Sequence, residues 1–139
     1  MLHEEMLNNL EMLINVFTDK VATLTTLAET TEGKWINRSS NDMVLEGYDM
    51  YRDEEGKLRN RLGVNGTGYT GEFEKALLFD TEEEAYNNGN FYLEAIVAGK
   101  RKTIYVTAIE AAPFFRKKAE SYKDTLEFCK RRLEQELNA

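Results

Sequence analysis

Hydrophobic residues at both ends of the chain recur at intervals of three and four positions, the spacing of an amphipathic α-helix. The N-terminal repeat consists of Leu7, Leu10, Ile14, Phe17, Val21, Leu24 and Ala28. The C-terminal repeat consists of Phe115, Ala119, Tyr122, Leu126, Cys129 and Leu133. Gly33 follows the first repeat, and Pro113 precedes the second in a position suited to a first helical turn. The pattern predicts long helices over residues 1–32 and 113–137.

Between these helices the hydrophobic period falls to two, which is typical of β-strands. Two pairs of such segments flank short turns that contain glycine, so each pair predicts a β-hairpin. The first hairpin joins Val44–Arg52 to Lys57–Val64 through Asp53-Glu54-Glu55-Gly56, and the second joins Phe91–Ala98 to Thr103–Glu110 through Gly99-Lys100-Arg101-Lys102.

Two further elements are predicted between the hairpins. The apolar run Ala76–Phe79 indicates a short strand, and Thr81 followed three residues later by Glu84 has the form of a helix-capping box. A brief helix over residues 82–88 is therefore expected, stopped at Asn88-Gly89. Residues 30–42, which include the only tryptophan, Trp35, carry no clear pattern.

These elements together predict an α+β fold. A small antiparallel sheet of about four to five strands, spanning residues 43–110, is framed by the long N-terminal and C-terminal helices. The chain has 139 residues, the size of one domain with one core. We therefore predict a single domain over residues 1–139.

Composition narrows the functional classes. The net charge of −7 disfavours binding to duplex nucleic acid. His3 is the only histidine and Cys129 the only cysteine, which argues against histidine-based catalysis and against a zinc site within one chain. We expect a protein that is not an enzyme and has no catalytic residues, metal or cofactor. The N-terminus lacks the basic start of a signal peptide and no apolar run is long enough for a membrane span, so a cytoplasmic protein is expected.

The N-terminal apolar stripe is wider than a two-position coiled-coil seam, because Met6, Leu13 and Leu27 extend it on one side. Such a helix can pack within its own fold, and it can also pair with a second chain. The sequence therefore predicts a homo-oligomer whose interface is formed by Leu7, Leu10, Ile14, Phe17 and Val21.

A basic strand followed by a glycine-rich segment is the candidate binding site. The strand period of two places Lys57, Arg59 and Arg61 on one face, where their charges repel one another unless an anion or nearby acids such as Asp49 lie across them. Gly66-Thr67-Gly68-Tyr69-Thr70-Gly71 matches GxGxxG but is not set in a βαβ unit, so it does not predict a dinucleotide fold. A mobile connection and a phosphate-binding loop both remain open. The predicted ligand residues are Lys57, Arg59, Arg61, Gly66, Gly68, Tyr69 and Gly71.

The segment Gly71–Ala85, with the turn Asp53–Leu58 before it, resembles a segment found in small accessory proteins of bacteriophages and mobile elements. The resemblance covers about a third of the chain and implies an anti-defence setting in the host cytoplasm. Some proteins of that setting sequester cyclic nucleotide or ADP-ribose-type signals, and others resemble anti-CRISPR proteins that bind a nuclease. The sequence predicts the first function, with the nuclease inhibitor and a structural or regulatory oligomer as alternatives.

Overall fold

The computed structural model describes residues 2–46, 50–56, 58–60, 68–89, 92–97 and 99–139. The helices are α1 (Leu2–Thr30), α2 (Glu82–Gly89) and α3 (Ala111–Leu137), with a short 3-10 helix at Phe73–Lys75. The strands are β1 (Trp35–Ser39), β2 (Val44–Leu45), β3 (Met50–Arg52), β4 (Leu58–Asn60), β5 (Tyr69–Thr70), β6 (Tyr92–Val97) and β7 (Lys100–Glu110). Long terminal helices therefore flank antiparallel strands, and the α+β prediction is confirmed.

The chain forms two compact units. The helical unit consists of Met1–Thr30 and Pro113–Ala139, and the sheet unit consists of Thr31–Ala112. Both ends of the chain thus build one unit and the middle builds the other. That the two units form one folding domain stays a prediction.

In the helical unit, α1 and α3 run antiparallel. Residues near the start of α1 meet residues near the end of α3, since His3 Nδ1 lies 3.7 Å from Glu136 Oε2. Further along, the ring centroids of Phe17 and Tyr122 are 5.7 Å apart. Lys20 Nζ lies 5.5 Å from the centroid of the same tyrosine ring. The apolar stripes recognised in the sequence therefore face each other within one chain.

The sheet unit contains a five-stranded antiparallel sheet with the strand order β5-β2-β1-β7-β6. Its central strand, β1, pairs with β7 from Trp35 opposite Glu110 to Ser39 opposite Val106. The sequence did not predict β1. Ile36, Asn37 and Ser39 are all buried, so the alternation that marks a half-exposed strand is absent.

Several predicted boundaries were wrong. The run Ala76–Phe79 is not a strand but makes two isolated bridges, from Ala76 to Glu46 and from Phe79 to Trp35. The predicted strand 44–52 is divided, because β2 belongs to the five-stranded sheet while β3 pairs with β4 in a separate two-stranded sheet. Strand β7 begins at Lys100, so the second hairpin turns more tightly than the sequence predicted, with Gly99 at a φ of 78°.

The core of the sheet unit is built around Leu45, Phe79 and Ala85, which we call the Leu45 cluster. The partly buried side chains that pack against it are Trp35, Tyr69, Leu77 and Ala108. Helix α2 contributes Ala85, and the predicted cap at its start is present, because the backbone N–H of Glu84 donates to Thr81 Oγ1 at 3.1 Å.

Candidate anion-binding site

The candidate site lies on an excursion of the chain between two paired strands. Strands β2 and β5 are antiparallel neighbours at one edge of the large sheet, with Leu45 opposite Tyr69. The backbone N–H of Glu46 donates to the carbonyl oxygen of Gly68 at 2.9 Å. The β3–β4 hairpin lies between these two strands in sequence.

The turn of the hairpin is built from residues 53–56, as the sequence predicted. Asp53 Oδ1 accepts the backbone N–H of Glu55 at 2.9 Å, and the N–H of Gly56 donates to the carbonyl oxygen of Asp53 at 2.9 Å. Gly56 has a φ of 78°, a conformation that glycine adopts without a Cβ clash. Arg52 Nη1 donates to the carbonyl oxygen of Gly56 at 2.9 Å and completes the turn.

Arg52 also connects the hairpin to the start of α2. Its Nη2 lies 3.0 Å from Asp80 Oδ2 and its Nη1 lies 3.1 Å from Glu84 Oε2. Lys34 Nζ approaches the other oxygen of Asp80 at 2.5 Å. We call these four residues the Arg52 cluster: Lys34, Arg52, Asp80 and Glu84. It ties together segments that are far apart in sequence.

The charges of the Arg52 cluster reinforce one another. The hydrogen bond with Glu84 and its negative charge raise the pKa of Arg52. The hydrogen bond and positive charge of Lys34, helped by Arg52, lower the pKa of Asp80 below its usual 3.8. Both groups are therefore ionised at neutral pH. The sequence alone does not indicate this cluster, because its members come together only when the hairpin folds towards α2.

The structure places the predicted ligand residues unevenly. Lys57, Arg61 and Gly66 lie outside the described residues, as does the nearby Asp49. Arg59 occupies the middle of β4, opposite Tyr51. Gly68, with a φ of 154°, leads into the edge strand β5, and Gly71 ends it beside a turn in which Thr70 Oγ1 accepts the N–H of Glu72 at 3.0 Å. That these residues form one ligand site stays a prediction.

Tyr69 has a role in the core as well as a place in the candidate site. Its ring packs against the Leu45 cluster, and its hydroxyl is buried with no hydrogen-bond partner among the described residues. Burial raises the pKa of Tyr69 to about 12. A phenol in this position is neutral at physiological pH.

Asn37 is a buried polar residue that the sequence analysis did not single out. It is fully buried, and neither Oδ1 nor Nδ2 has a partner among the described residues. Asn37 lies opposite Ala108 of β7. Because Arg38 lies opposite Val44 in the antiparallel pair of β1 and β2, Asn37 lies opposite Leu45 of β2. Asn37, Leu45 and Tyr69 thus form one cross-strand row. In the sequence, Asn37 is an asparagine within the run Trp35-Ile36-Asn37-Arg38-Ser39. Its burial could not be inferred there, because only the sheet pairing shows that this run is a strand.

The helical unit has a groove of about 220 Å³ between α1 and α3. Val21, Ala28 and Ala119 contribute apolar side chains to its lining, and Glu29, Glu120 and Lys123 contribute charged ones. Ala28 and Ala119 are small, so they leave space that larger side chains would fill. None of the residues that line the groove is a predicted ligand residue.

The predicted oligomer residues lie on α1 within the helical unit. Leu7, Leu10, Ile14, Phe17 and Val21 are all half-buried. Phe17 contacts Tyr122, and Val21 lines the groove against α3. Phe17 and Val21 of this stripe therefore face α3 of the same chain.

Comparisons with protein-family models, curated proteins and solved structures gave no match.

Within the described ranges, His, Cys, Asp and Glu side chains do not gather into a group of three or more that could hold a metal ion. None of the described helices is both long and apolar enough to span a membrane. The function must therefore be argued from the geometry of this chain.

Proposed function

We propose that the protein is a non-enzymatic binding protein that sequesters a small anionic ligand, of the cyclic nucleotide or ADP-ribose type, at the β3–β4 hairpin and the glycine-rich segment after it. The observation that carries the proposal is the position of β4. Arg59 lies on a short hairpin whose turn is closed by hydrogen bonds and whose Arg52 is held by Asp80 and Glu84. Such anchoring restricts the backbone of the hairpin before a ligand arrives and lowers the entropy lost on binding.

The chemistry of the segment supports an anion. Guanidinium groups present planar donors that match phosphate oxygens, and glycines allow backbone N–H groups to approach a phosphate closely. The guanidinium groups are those of Arg59 and Arg61, and the nearby Lys57 adds an ammonium group. The glycines are Gly66, Gly68 and Gly71. The resemblance to phage accessory proteins supports an anti-defence role for such binding.

Isothermal titration calorimetry against cyclic dinucleotides, cyclic mononucleotides and ADP-ribose tests the proposal. We expect the wild type to bind at least one of them. Arg59→Ala with Arg61→Ala should weaken that binding by roughly tenfold or more, because a hydrogen bond to a charged group is worth roughly 1.5–3 kcal/mol. The melting temperature should stay near that of the wild type.

The matched control is Lys100→Ala with Arg101→Ala, which removes the same two charges at the β6–β7 turn. This variant should bind as the wild type does, which separates a local site from general attraction to positive charge. A wild type that binds none of these nucleotides would refute the proposal.

A further inference from the structure

Helix α1 carries a second line of 3-4 spacing beside the stripe that contacts α3. We call the stripe of Leu7, Leu10, Ile14, Phe17 and Val21 the inner seam. The outer seam is formed by Leu2, Met6, Asn9, Leu13, Val16 and Lys20. From Met6 onwards, each outer-seam residue directly precedes an inner-seam residue, and successive residues lie about 100° apart around a helix. The two seams are therefore neighbouring faces of α1.

Three apolar side chains of the outer seam are exposed within the described part of the chain. Leu2 is 86% exposed, Leu13 39% and Val16 42%, and the adjacent Met12 is 57% exposed. The inner-seam residues are half-buried, as is Met6 of the outer seam. Lys20, at the end of the outer seam, bends its ammonium group over Tyr122 of α3. Leu2, Leu13 and Val16 are exposed apolar side chains on one face of α1, and such a face is typical of a helix that packs against another helix.

The angle between the seams fits a four-helix bundle. In such a bundle the helices stand at the corners of a square, so each one packs against two neighbours on faces about 90° apart. The helical unit supplies two helices, α1 and α3, and one contact between them. A second helical unit would supply the remaining two.

Charge indicates which helix covers the outer seam. Helix α1 holds five acidic residues and one lysine, whereas α3 holds seven basic and five acidic residues. Glu5 and Asp19 lie seven residues before and seven residues after Met12, so these three residues form a line beside the outer seam with an acid at each end. Contact between two copies of α1 would bring like charges together, whereas contact between α1 and α3 brings opposite charges together.

Helix α3 offers a matching outer face. Phe128 is 62% exposed, and Arg131 follows it by three residues, so the two side chains lie on the same side of the helix. We propose that two copies of the chain form a homodimer in which the outer seam of each α1 packs against the Phe128 face of the partner's α3, closing a four-helix bundle. This proposal does not rest on the anion-binding function.

Light scattering coupled to gel filtration measures the dimer directly. We expect the wild type to have twice the chain mass of 16.1 kDa, and Leu13→Glu with Val16→Glu to have the mass of one chain. The matched control is Asn8→Glu with Asn15→Glu, which adds the same two charges to exposed positions on another face of α1 and should stay dimeric. Circular dichroism should show helix content near that of the wild type in both variants.

The partner helix is tested by Phe128→Glu, which should also weaken the dimer. If the Leu13→Glu with Val16→Glu variant loses its helix content, Leu13→Ala with Val16→Ala replaces it and should raise the dissociation constant of the dimer without adding charge. The proposal is overturned by a wild type of one-chain mass, by a mass above two chains, or by outer-seam variants that remain as dimeric as the wild type. A dimer unchanged by Phe128→Glu overturns the assignment of α3.

Discussion

At the scale of single residues, the sheet unit holds buried polar atoms that have no hydrogen-bond partner within the described part of the chain, among them the side-chain amide of Asn37 and the hydroxyl of Tyr69. Asn37 and Tyr69 lie on one cross-strand row with Leu45 between them. Adjacent strands are about 4.8 Å apart, so two strand spacings separate their backbones and the two polar groups do not meet. A buried hydroxyl or amide without a partner costs free energy, because it gives up water and gains nothing in exchange. Both residues therefore reduce stability at this point in the core.

Tyr69→Phe should stabilise the protein. The substitution removes the buried hydroxyl and keeps the ring that packs on the Leu45 cluster, so we expect the free energy of unfolding at neutral pH to rise by about 1 kcal/mol. Chemical denaturation followed by Trp35 fluorescence measures this change. Tyr86→Phe is the control, because Tyr86 is exposed and its hydroxyl reaches solvent, and it should leave stability unchanged.

The raised pKa of Tyr69 predicts that the stability of the protein depends on pH, and the same two variants test this prediction. In the folded protein the pKa of Tyr69 is about 12, whereas in the unfolded chain it is near 10.0. Between these values the unfolded state binds fewer protons, so wild-type stability falls as pH rises from 10 to 12. Tyr69→Phe should reduce this fall and Tyr86→Phe should not. An equally steep fall in all three proteins would contradict the assigned burial of the Tyr69 hydroxyl.

At the scale of elements, the β3–β4 hairpin is too small to be stable by itself. A two-stranded sheet of three residues a strand is marginal in water. The Arg52 cluster supplies its connection to α2, and the excursion is closed at its base by β2 and β5. Since the ion pairs are exposed, their contribution is local order more than global stability.

Arg52→Met should loosen the hairpin while leaving the rest of the protein unchanged. The variant keeps an unbranched apolar stem but loses both ion pairs and the bond to the Gly56 carbonyl. We expect backbone amides within Met50–Asn60 to exchange several-fold faster with deuterium, and the melting temperature to stay near that of the wild type.

Lys75→Met is the control for the hairpin. Lys75 pairs with Glu72 at 2.6 Å, three residues earlier in the chain, so its loss should not affect exchange in the hairpin. Unchanged hairpin exchange in Arg52→Met would show that the hairpin does not depend on the cluster. If Arg52→Met also weakens anion binding, anchoring of the hairpin contributes to the proposed function.

At the scale of the whole molecule, chain connectivity links the two units. The helical unit is made from the two ends of the chain, and the entire sheet unit lies between them in sequence. If the sheet unit unfolds, the helices are joined only by a long flexible loop, and closing such a loop costs conformational entropy. Pairing of α1 with α3 is therefore favoured by a folded sheet unit.

We expect thermal unfolding in a single cooperative transition. Trp35 fluorescence reports on the sheet unit, and ellipticity at 222 nm reports mainly on the two long helices. The two signals should change with the same midpoint. Separate midpoints would show that the units unfold independently and would contradict the predicted single domain.

Local sequence patterns located most of the elements. The hydrophobic period predicted both terminal helices, the capping box predicted α2, and glycine-containing turns predicted the two hairpins, because these elements depend on contacts between residues close in the chain. The α+β class followed from the order of these elements. Local patterns failed at β1, whose buried Asn37 and Ser39 hide the alternation, and at Ala76–Phe79, whose apolar run makes only single bridges.

Only the tertiary structure determined which residues meet across long separations. It placed Arg52 between Asp80 and Glu84, set Asn37 and Tyr69 on one row, and showed that the inner seam of α1 contacts α3 while Leu2, Leu13 and Val16 of the outer seam are exposed. For the candidate site, the sequence supplied the basic and glycine residues, and the structure supplied the anchored hairpin that carries Arg59. The physical reason is that periodicity records how a residue relates to its own helix or strand, whereas the partner on another element is selected by the packing of the whole chain.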